Sequence, residues 1–162
     1  MQFQATAAEI KQAQVPHNLF VSGLFLFDLL MTPAVIVLNL GMVGLLIPLF
    51  FSAALISYIF MRSRKKTAWF VDAHWRLSFK HGQWLMLGYA ISALLVFVAW
   101  LISLTAHDAN MGHILWTALT RVALMPTLIA VMVTAVVEGG AIGLASKREV
   151  PDKIASVYPP VE

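Results

Sequence analysis

Residues 83–106 read QWLMLGYAISALLVFVAWLISLTA, twenty-four positions without one charged side chain. At about 1.5 Å per residue the run makes a helix of about 36 Å, enough to cross a hydrocarbon core about 30 Å thick. Three further runs meet the same length condition: about 19–38 (LFVSGLFLFDLLMTPAVIVL), about 42–61 (MVGLLIPLFFSAALISYIFM) and about 113–144. The last is longer than a crossing needs, so it is expected to tilt, to bend at Pro126 or to project from the membrane. The first two spans are separated only by NLGMVG and the last two by HDANMGH, which makes each pair a helical hairpin. The expected fold class is all-α integral membrane, a four-helix transmembrane bundle. It comprises an N-terminal segment 1–18, a four-span domain 19–144 and a C-terminal tail 145–162.

Composition agrees. Of 162 residues, 60% are hydrophobic and 12% charged, with a mean hydropathy of +0.81. Soluble domains carry about 25% charged residues, so this chain could not cover its apolar surface with polar groups in water. The pI of about 9.5 arises from basic residues beside the spans, not from a basic stripe interleaved with aromatics, so no nucleic-acid partner is expected. The absence of cysteine removes disulfides, thiolate metal sites and a cysteine nucleophile. The opening MQFQATAAEIKQAQVPHN lacks a basic n-region, and its apolar run starts only at Leu19, so the first span is expected to stay in the mature protein.

Ten of the eleven lysines and arginines fall on one side of this arrangement: Lys11, six between Arg62 and Lys80, and Lys147, Arg148 and Lys153. The positive-inside rule then puts both termini and the 62–82 loop in the cytoplasm, with a bacterial inner membrane as the expected location. Within that loop, about 67–81, Asp72, Arg76 and Lys80 recur every four residues, and Ala68, Val71, Trp75 and Phe79 line another face. The pattern predicts a short amphipathic helix in the headgroup region, anchored on anionic phospholipid or offering a docking surface to another subunit. The tail, VPDKIASVYPPVE, reads as extended.

Two charges lie deep inside spans. Asp28 is about 14 Å from the cytoplasmic start of the first span and Arg121 about 12 Å from the external start of the fourth, compatible heights in a core about 30 Å thick. Intramembrane charges usually pair, so Asp28 and Arg121 are expected to form an ion pair, structural or part of a relay. Glu138 lies at least twenty-five residues into the fourth span and is expected at the cytoplasmic interface, where a carboxylate is tolerated. The fourth span also carries Ala123, Thr127, Val131, Ala135, Gly139 and Gly143 at fourfold spacing. Such a small-residue face lets helices approach closely, within this chain or against another subunit.

His17 and His81 flank the cytoplasmic ends of spans, and His107 and His113 the external hairpin. These four are the candidates for b-type haem ligation. The stretch KHGQWLMLGYAISALL resembles the first helix of four-helix b-type cytochromes, in which a histidine precedes a tryptophan. It covers under twenty residues, and two residues separate His81 from Trp84. The second and fourth spans carry no histidine inside the membrane. His107, Asp108 and His113 on the external hairpin could in principle hold a metal, a weak signal from three polar residues on a seven-residue loop. HExxH, GxSxG, P-loop and GxGxxG patterns are absent, and no soluble domain exists to house substrate chemistry, so no enzyme is expected. The expected function is a non-catalytic subunit that packs against other integral membrane subunits and scaffolds a larger respiratory or secretory complex, with no cofactor. The alternatives are a proton- or ion-coupled transporter or channel centred on Asp28 and Arg121, and a haem b electron carrier.

Overall fold

The computed structural model describes residues 2–38 and 40–160, without the side chain of Met42. Helices make up nearly all the regular structure of these residues; the exception is an isolated antiparallel bridge between Gln2 and Glu149. Four helical rods are long and apolar enough to cross a membrane: Ala7–Val37, Leu46–Ser63, Trp69–Leu104 and Ala109–Ser146. The protein is multi-pass.

Helix α1 (Ala7–Gly23) begins twelve residues before the expected start of the first span. Its start is fixed by a capping box: Thr6 Oγ1 accepts from Glu9 N–H at 3.3 Å, and Glu9 Oε2 accepts from Thr6 N–H at 2.7 Å. The rod then widens into a π-helical segment, Leu24–Met31, before α2 (Thr32–Val37). Pro33 explains part of this. It has no N–H for the carbonyl four residues back, and Thr32 N–H bonds Phe27 O, five residues back. Asp28 lies inside the widened segment.

A short helix α3 (Gly41–Gly44), opened by Gly41 at φ +67°, leads into α4 (Leu46–Ser63). Helix α5 (Trp69–Leu104) follows and runs 36 residues without a break. The sequence reading is corrected here: 67–81 is no separate interfacial helix but the opening of the third rod. Asp72 accepts from Thr67 N–H at 2.8 Å and from its hydroxyl, tying the loop to the first turn of α5. Phe70, Val71, Asp72, Ala73, His74, Trp75, Leu77 and Ser78 are buried in protein. The periodicity exposed two faces of this helix and concealed the third, Phe70–Ala73–Leu77, which joins the core. Trp75 and Phe79 contact α4 through Tyr58, Arg62 and Phe60.

Helix α6 (Ala109–Ala123) is capped by Asp108, which accepts from Met111 N–H at 2.7 Å. The ladder breaks at Leu124 and α7 (Met125–Ser146) takes over with Pro126 in its first turn. Ser92 Oγ caps the new helix by accepting from Thr127 N–H at 3.1 Å.

The C-terminal segment is the second correction. It folds back as α8 (Asp152–Val157), whose Ile154 and Ala155 are buried. Ile154 joins Val150 in a cluster with Ala13, Phe70, Ala73, Leu77, Ala141 and Ala145. Trp69 Nε1 donates to Tyr158 O at 2.9 Å, and the Arg76 guanidinium lies 4.0 Å from the Tyr158 ring centre.

The chain forms two compact units, residues 1–82 with 135–162, and residues 83–134. The first contains the cluster above. In the second, Gly88 packs so closely on Ala130 that a side chain at 88 would collide with it.

Candidate functional site

Three helices of the first unit each place polar groups on a buried stripe. On α1 the stripe is Ala13, Pro16, His17 and Phe20; on α5 it includes Phe70, His74 and Leu77; on α7 it is Glu138, Ala141 and Ala145. These spacings of three, four and seven are those of core-facing helix positions. Histidine and glutamate occupy slots where the pattern asks for apolar residues.

The four side chains meet. Glu138 Oε2 accepts from His17 Nδ1 at 2.6 Å and Glu138 Oε1 from His81 Nδ1 at 2.9 Å. His17 Nε2 lies 3.0 Å from His74 Nδ1, the two rings crossing edge to face. His17, His74 and Glu138 are fully buried, while the His81 side chain keeps 15% of its exposure. The order is therefore His81–Glu138–His17–His74, a hydrogen-bonded chain. Among the described residues the ion-pair partners of Glu138 are these two histidines, with no lysine or arginine at the carboxylate.

Burying a carboxylate without partners is very unfavourable, and the two imidazole donors are what makes this one tolerable. Each ring nitrogen that bonds is turned toward the next member of the chain, not toward a common centre. Among the described residues no group of three or more is placed to hold a metal ion. A linear array of imidazoles and a carboxylate is suited to holding and passing a proton.

The sequence reading missed this site. Glu138 was expected at the interface and is fully buried. The signal was present in its spacing from Val131, Thr134, Ala141 and Ala145, all of them buried, on a face adjacent to the glycine stripe. Of the haem candidates, His17 and His81 are bonded to Glu138, and the exposed His107 and His113 lie in the second unit, before α6 and inside it. His74 carries no signal of its own in the sequence, where it falls within the expected interfacial helix.

Asp28 accepts from Ser52 Oγ of α4 at 3.0 Å within the first unit. Arg121 is an exposed residue of the second unit. The small-residue stripe divides. Ala123 and Val131 are buried, and Thr127 donates to Gly88 O, whereas Cβ atoms added at Gly139 or Gly143 would meet nothing within 4 Å.

No protein family, curated protein or solved structure matches the chain.

Proposed function

We propose that this is a proton-coupled membrane protein, a small transporter or channel of the cytoplasmic membrane with both termini inside, whose chemistry is centred on Glu138. The observation that carries the reading is the buried chain His81–Glu138–His17–His74. Ionisable groups within membrane helices are costly and mark functional sites by default. Four of them in one hydrogen-bonded array exceed what fixing three helices requires, since apolar residues of similar volume do that at no desolvation cost. This moves the proton-handling centre from Asp28 and Arg121 to Glu138. In this reading Asp28, which accepts from Ser52 Oγ, has a structural role.

The test is proton flux into liposomes reconstituted with the purified protein, with an internal pH dye and an imposed gradient. Wild-type protein is expected to speed equilibration and Glu138→Gln to abolish the increase. Equal rates for the two would sink the reading.

A second reading is favoured by a separate observation, the open face at Gly139 and Gly143. Close helix approach is the usual use of such a face. In this reading the protein is a non-enzymatic subunit that packs there against another membrane protein, with its basic residues on anionic phospholipid. Recovery of a stoichiometric partner in mild detergent, lost in Gly143→Leu, supports it. Recovery of the chain alone counts against it.

A further inference from the structure

Hydrogen-bond bookkeeping gives the buried chain a direction. A neutral imidazole has one N–H and one bare nitrogen, and a carboxylate only accepts. With Glu138 accepting Nδ1–H from both His17 and His81, the Nε2 of a neutral His17 is bare. His74 must then donate its Nδ1–H to it, which leaves His74 Nε2 bare as well. That nitrogen is the loose end. His74 is fully buried, and its Nε2 has no hydrogen-bond partner among the described residues. The main chain of Glu149 lies beside the ring.

Adding one proton at His74 Nε2 completes the array with no movement of heavy atoms. The His74 Nδ1 proton passes to His17 Nε2, and the His17 Nδ1 proton shifts toward Glu138 Oε2. His74 ends with its proton on Nε2. The buried net charge goes from minus one to zero. A proton arriving through His81 cannot do this. It would stop on Glu138 Oε1, because Oε2 still faces an N–H of His17.

We propose that His74 Nε2 is where a single proton enters and leaves the chain, and that residues 149–158 are the removable cover over it. The inference rests on the proton-coupled reading above and adds its route. The cover is held by Val150 and Ile154 in the apolar cluster, by the Trp69–Tyr158 hydrogen bond and by Arg76 against the Tyr158 ring. Phe3 N–H donates to Arg148 O at 2.9 Å just before it. A water-open groove of about 530 Å³, lined by Gln2, Phe3, Gln4, Ser146, Lys147 and Arg148, ends one residue short of Glu149.

The charged groups around His74 leave this route open. On α5, Asp72 is held by Thr67, and Arg76 lies on Tyr158. Glu149 Oε1 faces Gln2 Nε2 at 3.5 Å. The groups acting on the ring are His17 of α1 and Glu138 of α7.

The test is ¹⁵N NMR of histidine-labelled full-length protein in lipid nanodiscs, read from about pH 8 to about pH 5. His74 is expected to change its protonated nitrogen from Nδ1 to Nε2 while the three chain histidines and Glu138 together take up one proton. Trp69→Phe removes the indole donor to Tyr158 O, and Tyr158→Ala removes the ring under Arg76. Each is expected to speed hydrogen–deuterium exchange at the His74 ring about fivefold, the scale of one lost hydrogen bond. His81→Asn is expected to leave that exchange unchanged. Exchange indifferent to the cover variants but altered by His81→Asn would overturn the proposal. So would a His74 ring that keeps one tautomer at every pH. These readouts do not depend on transport: a chain that protonates this way in a protein without proton flux sinks the functional reading and leaves the route standing.

Discussion

Glu138 holds two histidines of two other helices, and its removal has a defined cost. Glu138→Leu leaves His17 Nδ1–H and His81 Nδ1–H without an acceptor, each worth about 1–3 kcal/mol. Glu138→Gln is milder, because its amide oxygen still serves one of them. Unfolding in detergent should rank the variants in that order. The double variant His17→Leu/Glu138→Leu should lose about 1–3 kcal/mol less than the two single losses added, because it removes both members of one pair. At this scale the sequence was partly legible. Asp28 announces itself, as a lone carboxylate in an otherwise apolar run. Glu138 does not, because two exposed glycines follow it and it sits near the end of a long helix, where a carboxylate looks harmless. Only the heptad spacing from Val131 to Ala145 places it inward.

Helices were more legible than their limits. All four expected spans exist as rods, and Pro126 marks the break between α6 and α7. Hydropathy stops where charges start, so it truncated α1 and α5, whose first turns are polar on one face yet packed in protein. The tail misled for a similar reason: its prolines conceal Val150, just before α8, and Ile154 and Ala155 on the buried face of α8. The glycines give a contrast at this scale. Gly88→Ala drives a methyl onto Ala130 and close to Pro126 O, and should destabilise the second unit by about 1–3 kcal/mol. Gly143→Ala meets open space and should stabilise the isolated protein by up to about 1 kcal/mol through helix propensity. Thermal melts of both in one detergent decide this. Comparable losses in the two would mean that α7 packs differently from the structure described.

For the whole molecule, basic residues argue that both termini share one side. The absence of cysteine makes that simple to check, because a single cysteine introduced at Gln4, Lys66 or Asp108 is the only thiol in the chain. Labelling of intact cells with an impermeant reagent should modify Asp108→Cys and spare the other two; the reverse pattern would invert the protein. The most direct test of the account is whether the buried chain exists as a connected hydrogen-bonded array. In ¹⁵N-histidine protein in lipid, the account predicts a scalar coupling across the hydrogen bond between His17 Nε2 and His74 Nδ1, lost when Glu138→Leu removes the acceptor that orients His17. Two uncoupled imidazoles in wild-type protein, each titrating independently of the other and of Glu138, would contradict it.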